Sequence, residues 1–310
     1  MEELLRRWAG LTPEQRETFA ASLSSDGRQR WFEQQWVAQC RSDFTTWCVE
    51  ALRPHNLTPA RHHRFICSKL QAVANGEISR LMLFCPPGSA KTTYSSRLFP
   101  AWFFQNHPGA HIIGASHTTT LAEQLSGDVQ KLVVENQHIL DYRPLSERRD
   151  LWTCSNGCMY LAAGAGVGIA GFRADMAIID DPIRSRADAD SETLRDKVWR
   201  WYLSDVLPRL KPNGRVIVIL TRWHEDDLVG RLLETQREQW TVVELPALAG
   251  EGDALGREPG GPLWCDDGYG YGQELLQKRE QYERDGALRD WEALYQQRPR
   301  PPMGAIFDCT

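Results

Sequence analysis

No apolar run in this sequence approaches the roughly 20 residues that a bilayer-spanning helix needs. The first residues, Met1-Glu2-Glu3-Leu4-Leu5-Arg6-Arg7, lack the basic-then-apolar order of a secretion signal. An intracellular location without a membrane is therefore expected. Positive charge is also in short supply. A formal net charge of −5 excludes a protein coated in lysine and arginine that holds nucleic acid passively, while leaving room for a few local basic loops. Eight cysteines are scattered along the chain. Only Cys154 and Cys158 are close, and no second pair completes a zinc site, so reduced thiols filling a core are expected. Internal repeats and low-complexity tracts are missing. What remains is 310 residues that are 42% hydrophobic, enough to bury a substantial core without disulfide staples.

Three stretches differ in pattern. Residues 1–56 read as an N-terminal helical segment, with a capping-box start at Thr12-Pro13-Glu14-Gln15 and apolar faces supplied by Trp31, Trp36, Phe44 and Trp47. Residues 57–248 alternate between strands and helices. A helix start is expected at Thr58-Pro59. Strands are expected at Leu81-Phe84, His111-Ala115, Met176-Ile179, Arg215-Leu220 and Trp240-Leu245, and Pro100 should bend or interrupt the helix over 92–106. Cys154-Ser155-Asn156-Gly157-Cys158 reads as a tight hairpin. Continuous apolar strands between helices predict an α/β fold with a mostly parallel central sheet flanked by helices. Residues 249–310 read as a long Gly/Asp/Pro-rich loop over 249–272, a helical stretch near 273–295, and a linker.

The most informative stretch is Cys85-Pro86-Pro87-Gly88-Ser89-Ala90-Lys91-Thr92, which leaves a buried strand and opens a helix. That context suits a phosphate-binding loop. Its backbone N–H groups would cradle phosphates, Lys91 would add a positive charge, and the Thr92 hydroxyl would ligate magnesium. Pro87, Gly88, Ser89, Ala90, Lys91, Thr92 and Thr93 are the expected nucleotide contacts. Cys85 and Ala90 stand where the common pattern has glycine, so the alternative is a surface turn with an ordinary lysine. The second element is Ile178-Ile179-Asp180-Asp181-Pro182. Asp180, on a strand end expected to lie next to that of the lysine loop, is the expected magnesium-associated carboxylate, and Asp181 is placed to orient the attacking water or accept its proton. An Asp pair capping a helix is the plainer alternative. The third element is the strand end Leu220-Thr221-Arg222-Trp223-His224-Glu225-Asp226-Asp227. Thr221 would bond a phosphate or the water, and Arg222 a phosphate or Asp180. Consecutive acids do not face one metal, so Glu225 to Asp227 read as helix N-terminal acids.

Taken together, these three motifs resemble the large terminase subunits of tailed bacteriophages and prophages. So do the glycine-rich stretch Gly164–Phe172 and the segments Leu245-Pro246-Ala247-Leu248 and Leu294-Tyr295-Gln296-Gln297-Arg298-Pro299. The resemblance spans about residues 45 to 307. It implies a P-loop ATPase core of the additional-strand, helicase-like kind, with ATP and Mg²⁺ as cofactors. Hydrolysis would drive double-stranded DNA into a procapsid in the host cytoplasm. The implied partners are a portal protein, a small terminase subunit, and copies of the chain in a ring, a pentamer. The family also implies a nuclease domain after the Tyr-Gln-Gln-Arg-Pro segment. Only Asp308, Cys309 and Thr310 follow Gly304-Ala305-Ile306-Phe307 here, so no nuclease activity is expected from this chain.

Phosphoryl transfer calls for an arginine near the transferred group, typically worth about 10³–10⁵ in rate. None lies within the lysine loop, so a neighbouring subunit would supply it. Arg173 is the first candidate and Arg222 the second, ahead of Arg184 and Arg186. The resemblance suggests a coupling loop at Ala115–Thr120, where a helix N-cap cluster of hydroxyls reads equally well. The nucleotide base is expected near Arg61, His62 or His63, with His62 taken as the contact. Arg209, Lys211 and Arg215 are guesses for sequence-independent DNA contact. A helicase-like DNA translocase shares all these features, and a non-catalytic nucleotide-binding regulator shares most of them.

Overall fold

The computed structural model describes residues 25–265 and 269–300. The helix start expected at Thr12-Pro13, the terminal Gly304-Ala305-Ile306-Phe307 and Cys309 lie outside them.

Seven strands form one sheet: β1 Arg80–Phe84, β2 His111–Ser116, β3 Leu151–Thr153, β4 Met159–Gly164, β5 Ala174–Asp180, β6 Leu210–Leu220 and β7 Thr241–Glu244. Their order is β3-β4-β2-β5-β6-β1-β7, and only β3 runs antiparallel. Adjacent residues of each inner strand point to opposite faces, and both faces are covered. Leu81, Leu83, Ile112, Ile178, Ile217 and Ile219 join one buried cluster; Met82, Phe84, Ile113, Ile179, Val218 and Leu220 join the other. Two-sided burial explains why these strands read as unbroken apolar runs.

The first face is covered by α1 Ser25–Ser42, α2 Phe44–Leu52, α3 Arg61–Ala74, α4 Phe99–Asn106 and α5 Thr119–Glu135. Aromatic residues fill it: Phe44 packs edge-on to Phe99, and Trp152 stacks on Tyr160. Burying each such side chain contributes about 1.5–3 kcal/mol. A β-carbon on Gly114 would sit 1.9 Å from the Tyr160 hydroxyl, so only glycine fits the middle of β2. The second face carries α6 Arg186–Asp190, α7 Glu192–Trp201 and α8 Leu228–Gln236.

Several local expectations change. The helix expected at Thr58-Pro59 begins at Arg61, because the His63 imidazole accepts the Ala60 N–H at 3.1 Å and closes the first turn. The α-helix over 92–106 is interrupted just before Pro100. Residues Thr93–Leu98 widen into a π-helical stretch, which accommodates the missing N–H, and Pro100 falls in the first turn of α4. The hairpin at 154–158 forms with Gly157 at φ 82. Residues 249–265 hold no helix or strand, yet Arg257 pins them. Its guanidinium pairs at 2.6 Å with Asp253, whose side chain is buried, and donates to the Pro246 and Gly261 carbonyls. After α9 Tyr271–Arg284, Gln296 bonds both backbone groups of Leu248 at 3.0 and 3.1 Å. The two segments singled out near 245 and 295 are thus direct neighbours.

Six strands are parallel, so Phe84, Ser116, Gly164, Asp180, Leu220 and Glu244 all end on one edge of the sheet. In such sheets the crevice at the strand C-termini is where ligands bind. The lysine loop and the Asp pair leave this edge. Their strands are not adjacent, as a simple reading would have it: β6 is inserted between β1 and β5.

Candidate functional site

The loop from Cys85 to Thr92 turns back over the end of β1 through two left-handed residues, Gly88 at φ 83 and Ala90 at φ 59. The second stands where the common pattern has glycine. A non-glycine residue there costs about 1–3 kcal/mol, of which the entropy of a freer unfolded chain returns about 0.4–1 on replacement by glycine. Ala90→Gly should therefore stabilise the protein by about 1 kcal/mol. Gly88→Ala should destabilise it by about 1–3 kcal/mol, because its β-carbon would also lie 2.9 Å from the Tyr271 ring. Urea midpoints check both, and a destabilising Ala90→Gly would contradict the strain.

Three loops then converge. Lys91, 6% exposed, donates from Nζ to Thr221 Oγ1 at 2.7 Å and lies 3.5 Å from the Asp181 carboxylate. The Thr221 N–H donates to Asp181 Oδ1 at 2.8 Å. Thr92 Oγ1 donates to Asp180 Oδ1 at 3.2 Å, and Ser96 Oγ to Asp180 Oδ2 at 2.5 Å. Lys91, Thr92, Asp180, Asp181 and Thr221 thus form one connected network at the ends of β1, β5 and β6. Ser96 is a member that sequence reasoning missed. It sits on the widened helical stretch before Pro100, and that proline was its only signal. Asp181 takes φ 43 while its N–H bonds the Ile219 carbonyl, so the chain turns sharply where β5 ends.

Burial raises the Asp180 carboxyl to about 6, and the neighbouring Asp181 charge adds to the effect; bonds from Ser96 and Thr92 and the Lys91 charge oppose it. A buried carboxylate in this state favours an added cation. Among the described residues no group of three His, Cys, Asp or Glu side chains could hold a metal. Magnesium does not need one: it binds through one or two protein oxygens and completes its shell with water and phosphate. The Thr92 hydroxyl and Asp180 carboxylate fit that requirement. The buried Ser89 hydroxyl, inside the loop, lies against the Cys85 thiol.

Beside the loop lies a cleft of about 480 Å³ lined by Gly88, Ala90, Thr93, His63, Tyr94 and Trp264, among others. Tyr269, also in its lining, stacks on Trp264 at 4.4 Å and 9°. One aromatic wall, the Trp264–Tyr269 stack, thus comes from the stretch read as a long Gly/Asp/Pro-rich loop. The cluster Trp264, Tyr269 and Tyr271 within a glycine-rich segment was the available signal. The Tyr271 hydroxyl bonds the Pro87 carbonyl and ties that stretch to the lysine loop. His62 does not line the cleft. It is fully buried, with Nε2 3.4 Å from the Ser89 carbonyl. Its neighbour His63 lines the cleft instead. His63 Nδ1 accepts a backbone N–H, so Nε2 carries the proton and donates to the Ser89 carbonyl at 3.1 Å. Burial, with His62 alongside, lowers its pKa to about 3. A neutral imidazole braces the loop from behind.

The arginines lie elsewhere. Arg222 does not pair with Asp180; its Nε donates to buried Asp227 at 2.8 Å and its guanidinium lies over Phe84. Asp227 caps α8 by accepting the Gly230 N–H at 2.8 Å, and Asp226 pairs with Arg195 and Arg231. The acidic run is therefore ion-paired and capping. Arg173 is exposed just before β5, with its guanidinium near the Leu210 carbonyl. It is at the opposite end of β5 from Asp180, roughly 20 Å away at the usual strand rise. Arg184 pairs with Asp188, and Arg186 with Asp290 and the Trp223 carbonyl. Lys211 is taken up by Asp175 at 2.8 Å, and Arg215 packs on Phe103; both belong to the far half of β6. Thr118 caps α5 through Leu121 N–H. No helix among the described residues is long and apolar enough to cross a membrane.

Comparison with known proteins gives the family. The family model for the terminase large subunit, T4likevirus-type, N-terminal, matches residues 82–295. Among solved structures, the large terminase of bacteriophage HK97 aligns at 13% identity over 73% of this chain and 48% of its own, with a TM-score of 0.46. The ATPase domain of the Thermus phage P74-26 large terminase aligns at 13% identity over 74% of this chain and 93% of its own, with a TM-score of 0.45. The large terminase of a thermophilic bacteriophage, in complex with ATP-gamma-S, aligns at 12% identity over 56% of this chain and 43% of its own, with a TM-score of 0.40. The chain spans about half the length of the HK97 protein that it matches. No curated protein matches it by sequence.

Proposed function

Because the chain belongs to the terminase large-subunit family, we propose that it is an ATPase whose hydrolysis drives double-stranded viral DNA into a procapsid. One observation carries this reading: Lys91, Thr92, Asp180, Asp181 and Thr221 converge at a single point on the C-terminal edge of a parallel sheet. The cleft next to the lysine loop, with its aromatic Trp264–Tyr269 stack, supports a nucleotide as the ligand, with its phosphates on the loop and its base against that stack.

The loop from Pro87 to Thr93 receives the phosphates on its N–H groups. Lys91 exchanges Thr221 and Asp181 for phosphate oxygens, and this frees the Asp181 carboxylate to orient the attacking water and take its proton. Thr221 stays within reach of the same water. Thr92 and Asp180 would hold magnesium, which would neutralise charge that develops on the transferred phosphoryl group. No arginine among the described residues joins this network, so a neighbouring copy in a ring supplies it, with Arg173 at the far end of β5 the first candidate. Portal protein and small terminase subunit are the partners, and the host cytoplasm the place.

The test is phosphate release by the pure chain with ATP and magnesium, beside Lys91→Ala. Loss of one preorganised charge at the phosphates is expected to lower turnover by about 10²-fold. Equal background rates from both proteins would overturn the assignment and favour a nucleotide-binding regulator.

A further inference from the structure

Both oxygens of the buried Asp180 carboxylate are held by hydroxyls from a single helical segment. Oδ1 accepts from Thr92 at 3.2 Å, and Oδ2 accepts from Ser96 at 2.5 Å. The cause lies in the sequence. A regular helix would bond the N–H of residue 100 to the Ser96 carbonyl, but Pro100 has no N–H and its ring would clash there. The backbone widens instead. Over Thr93–Leu98 the helix is of the π kind, and the Phe99 N–H reaches back five residues to the Tyr94 carbonyl. In a regular α-helix a residue four places on overshoots the first by about 40°. A wider turn removes part of that overshoot. The Ser96 hydroxyl therefore comes round over that of Thr92, and both meet one carboxylate. Such local widenings are frequent at functional sites.

Neighbouring hydroxyls do not share this task. Ser95 Oγ is on the same widened stretch, and Ser116 belongs to the residue that faces Asp180 in the register of β2 and β5. Both hydroxyls are buried and have no hydrogen-bond partner among the described residues. Ser96, 2% exposed, alone anchors Oδ2. The last torsion of an aspartate is broad, so anchoring one oxygen decides where the other points. We infer that Ser96 is a positioning residue of the proposed ATPase site. By holding Oδ2 it keeps Oδ1 beside the Thr92 hydroxyl, the pair of oxygens that would meet the magnesium of a nucleotide complex. The inference rests on the function proposed above. Ser96 acts only through Asp180, and groups that orient a metal's carboxylate ligand are worth about 10–100-fold in metal affinity.

The experiment measures equilibrium binding of a fluorescent, slowly hydrolysed ATP analogue to the pure chain, with magnesium and with a chelator. The magnesium dependence of ATP turnover is recorded on the same preparation. With chelator, Ser96→Ala should bind the analogue as the wild type does. It should lose about 10–100-fold of the tightening that magnesium gives. The magnesium needed for half-maximal turnover should rise by a similar factor, while the rate at saturating magnesium changes far less. Ser95→Ala removes a hydroxyl from the same buried stretch but no hydrogen bond, and should match the wild type in every measurement. A serine that only packs would weaken binding with and without magnesium alike; that result overturns the inference, and so does a Ser96→Ala protein that keeps the full tightening. A double-mutant cycle covers the case in which Ser96→Ala alone folds poorly. Asp180→Asn has already lost the carboxylate, so adding Ser96→Ala to it should cost no further tightening. A further loss overturns the inference. A wild type that binds the analogue no tighter with magnesium and releases no phosphate overturns the function on which the inference rests.

Discussion

Replacing Asp180 by asparagine should reduce ATP turnover by about 10³-fold or more and at the same time make the nucleotide-free protein more stable at neutral pH. The two effects have one cause. Asp180 is 3% exposed, and its carboxyl is raised from 3.8 to about 6 by burial and by the Asp181 charge. A raised acid binds its proton more tightly folded than unfolded. Ionising it therefore disfavours the folded state, and the penalty develops as pH rises from the unfolded value near 4 to the folded value near 6, then stays constant. Asparagine never ionises, so it escapes the penalty above about pH 6 and gains nothing below about pH 4. The expected gain is on the order of 1–3 kcal/mol, and the amide oxygen still accepts from Ser96 or Thr92. Urea midpoints for both proteins between about pH 4 and pH 7.5 test this: the curves should meet at the acid end and separate toward neutral pH. Curves that stay parallel, or a variant that keeps its turnover, would show that Asp180 is not a strained, cation-seeking carboxylate.

Residues with a pattern of their own were readable from sequence. The apolar runs ending in Phe84, Ile179 and Leu220 announced buried parallel strands. The residues just beyond each run, Lys91-Thr92, Asp180-Asp181 and Thr221, indicated polar groups at one edge. The strand order was not readable, because the insertion of β6 between β1 and β5 depends on which apolar face meets which, and every inner strand is apolar on both faces. Contacts between distant segments were hidden for the same reason. Nothing local to Gln296 says that its amide will satisfy Leu248, or that Tyr271 will bond Pro87 and so bring the stretch with Trp264 and Tyr269 to the cleft. That His63 and not His62 lines the cleft was hidden as well. Two adjacent helical residues point about 100° apart, and only the backbone start at Ala60 decides which imidazole reaches the cleft.

Asp181→Asn separates binding from chemistry at this site. The residue occupies φ 43, a region that asparagine tolerates as well as aspartate, and its amide oxygen can still accept the Thr221 N–H now bonded at 2.8 Å. The fold and the loop geometry should persist. What disappears is the ability to take a proton from the attacking water, worth about 10²–10⁴ in rate. Turnover should fall by that factor while nucleotide affinity changes only a few-fold. Losing the neighbouring charge lets Asp180 ionise more easily, since Asp181 is the second cause of its raised pKa, so magnesium binding should not weaken. Glutamate at 181 keeps the base but adds a methylene in a cramped position 3.5 Å from Lys91; part of the rate should return. Single-turnover rates and equilibrium nucleotide binding on the three proteins decide the matter. If asparagine leaves the single-turnover rate untouched, the water is positioned by Thr221 or by a group from a neighbouring copy, and Asp181 serves only to hold Lys91 and the Thr221 backbone in place.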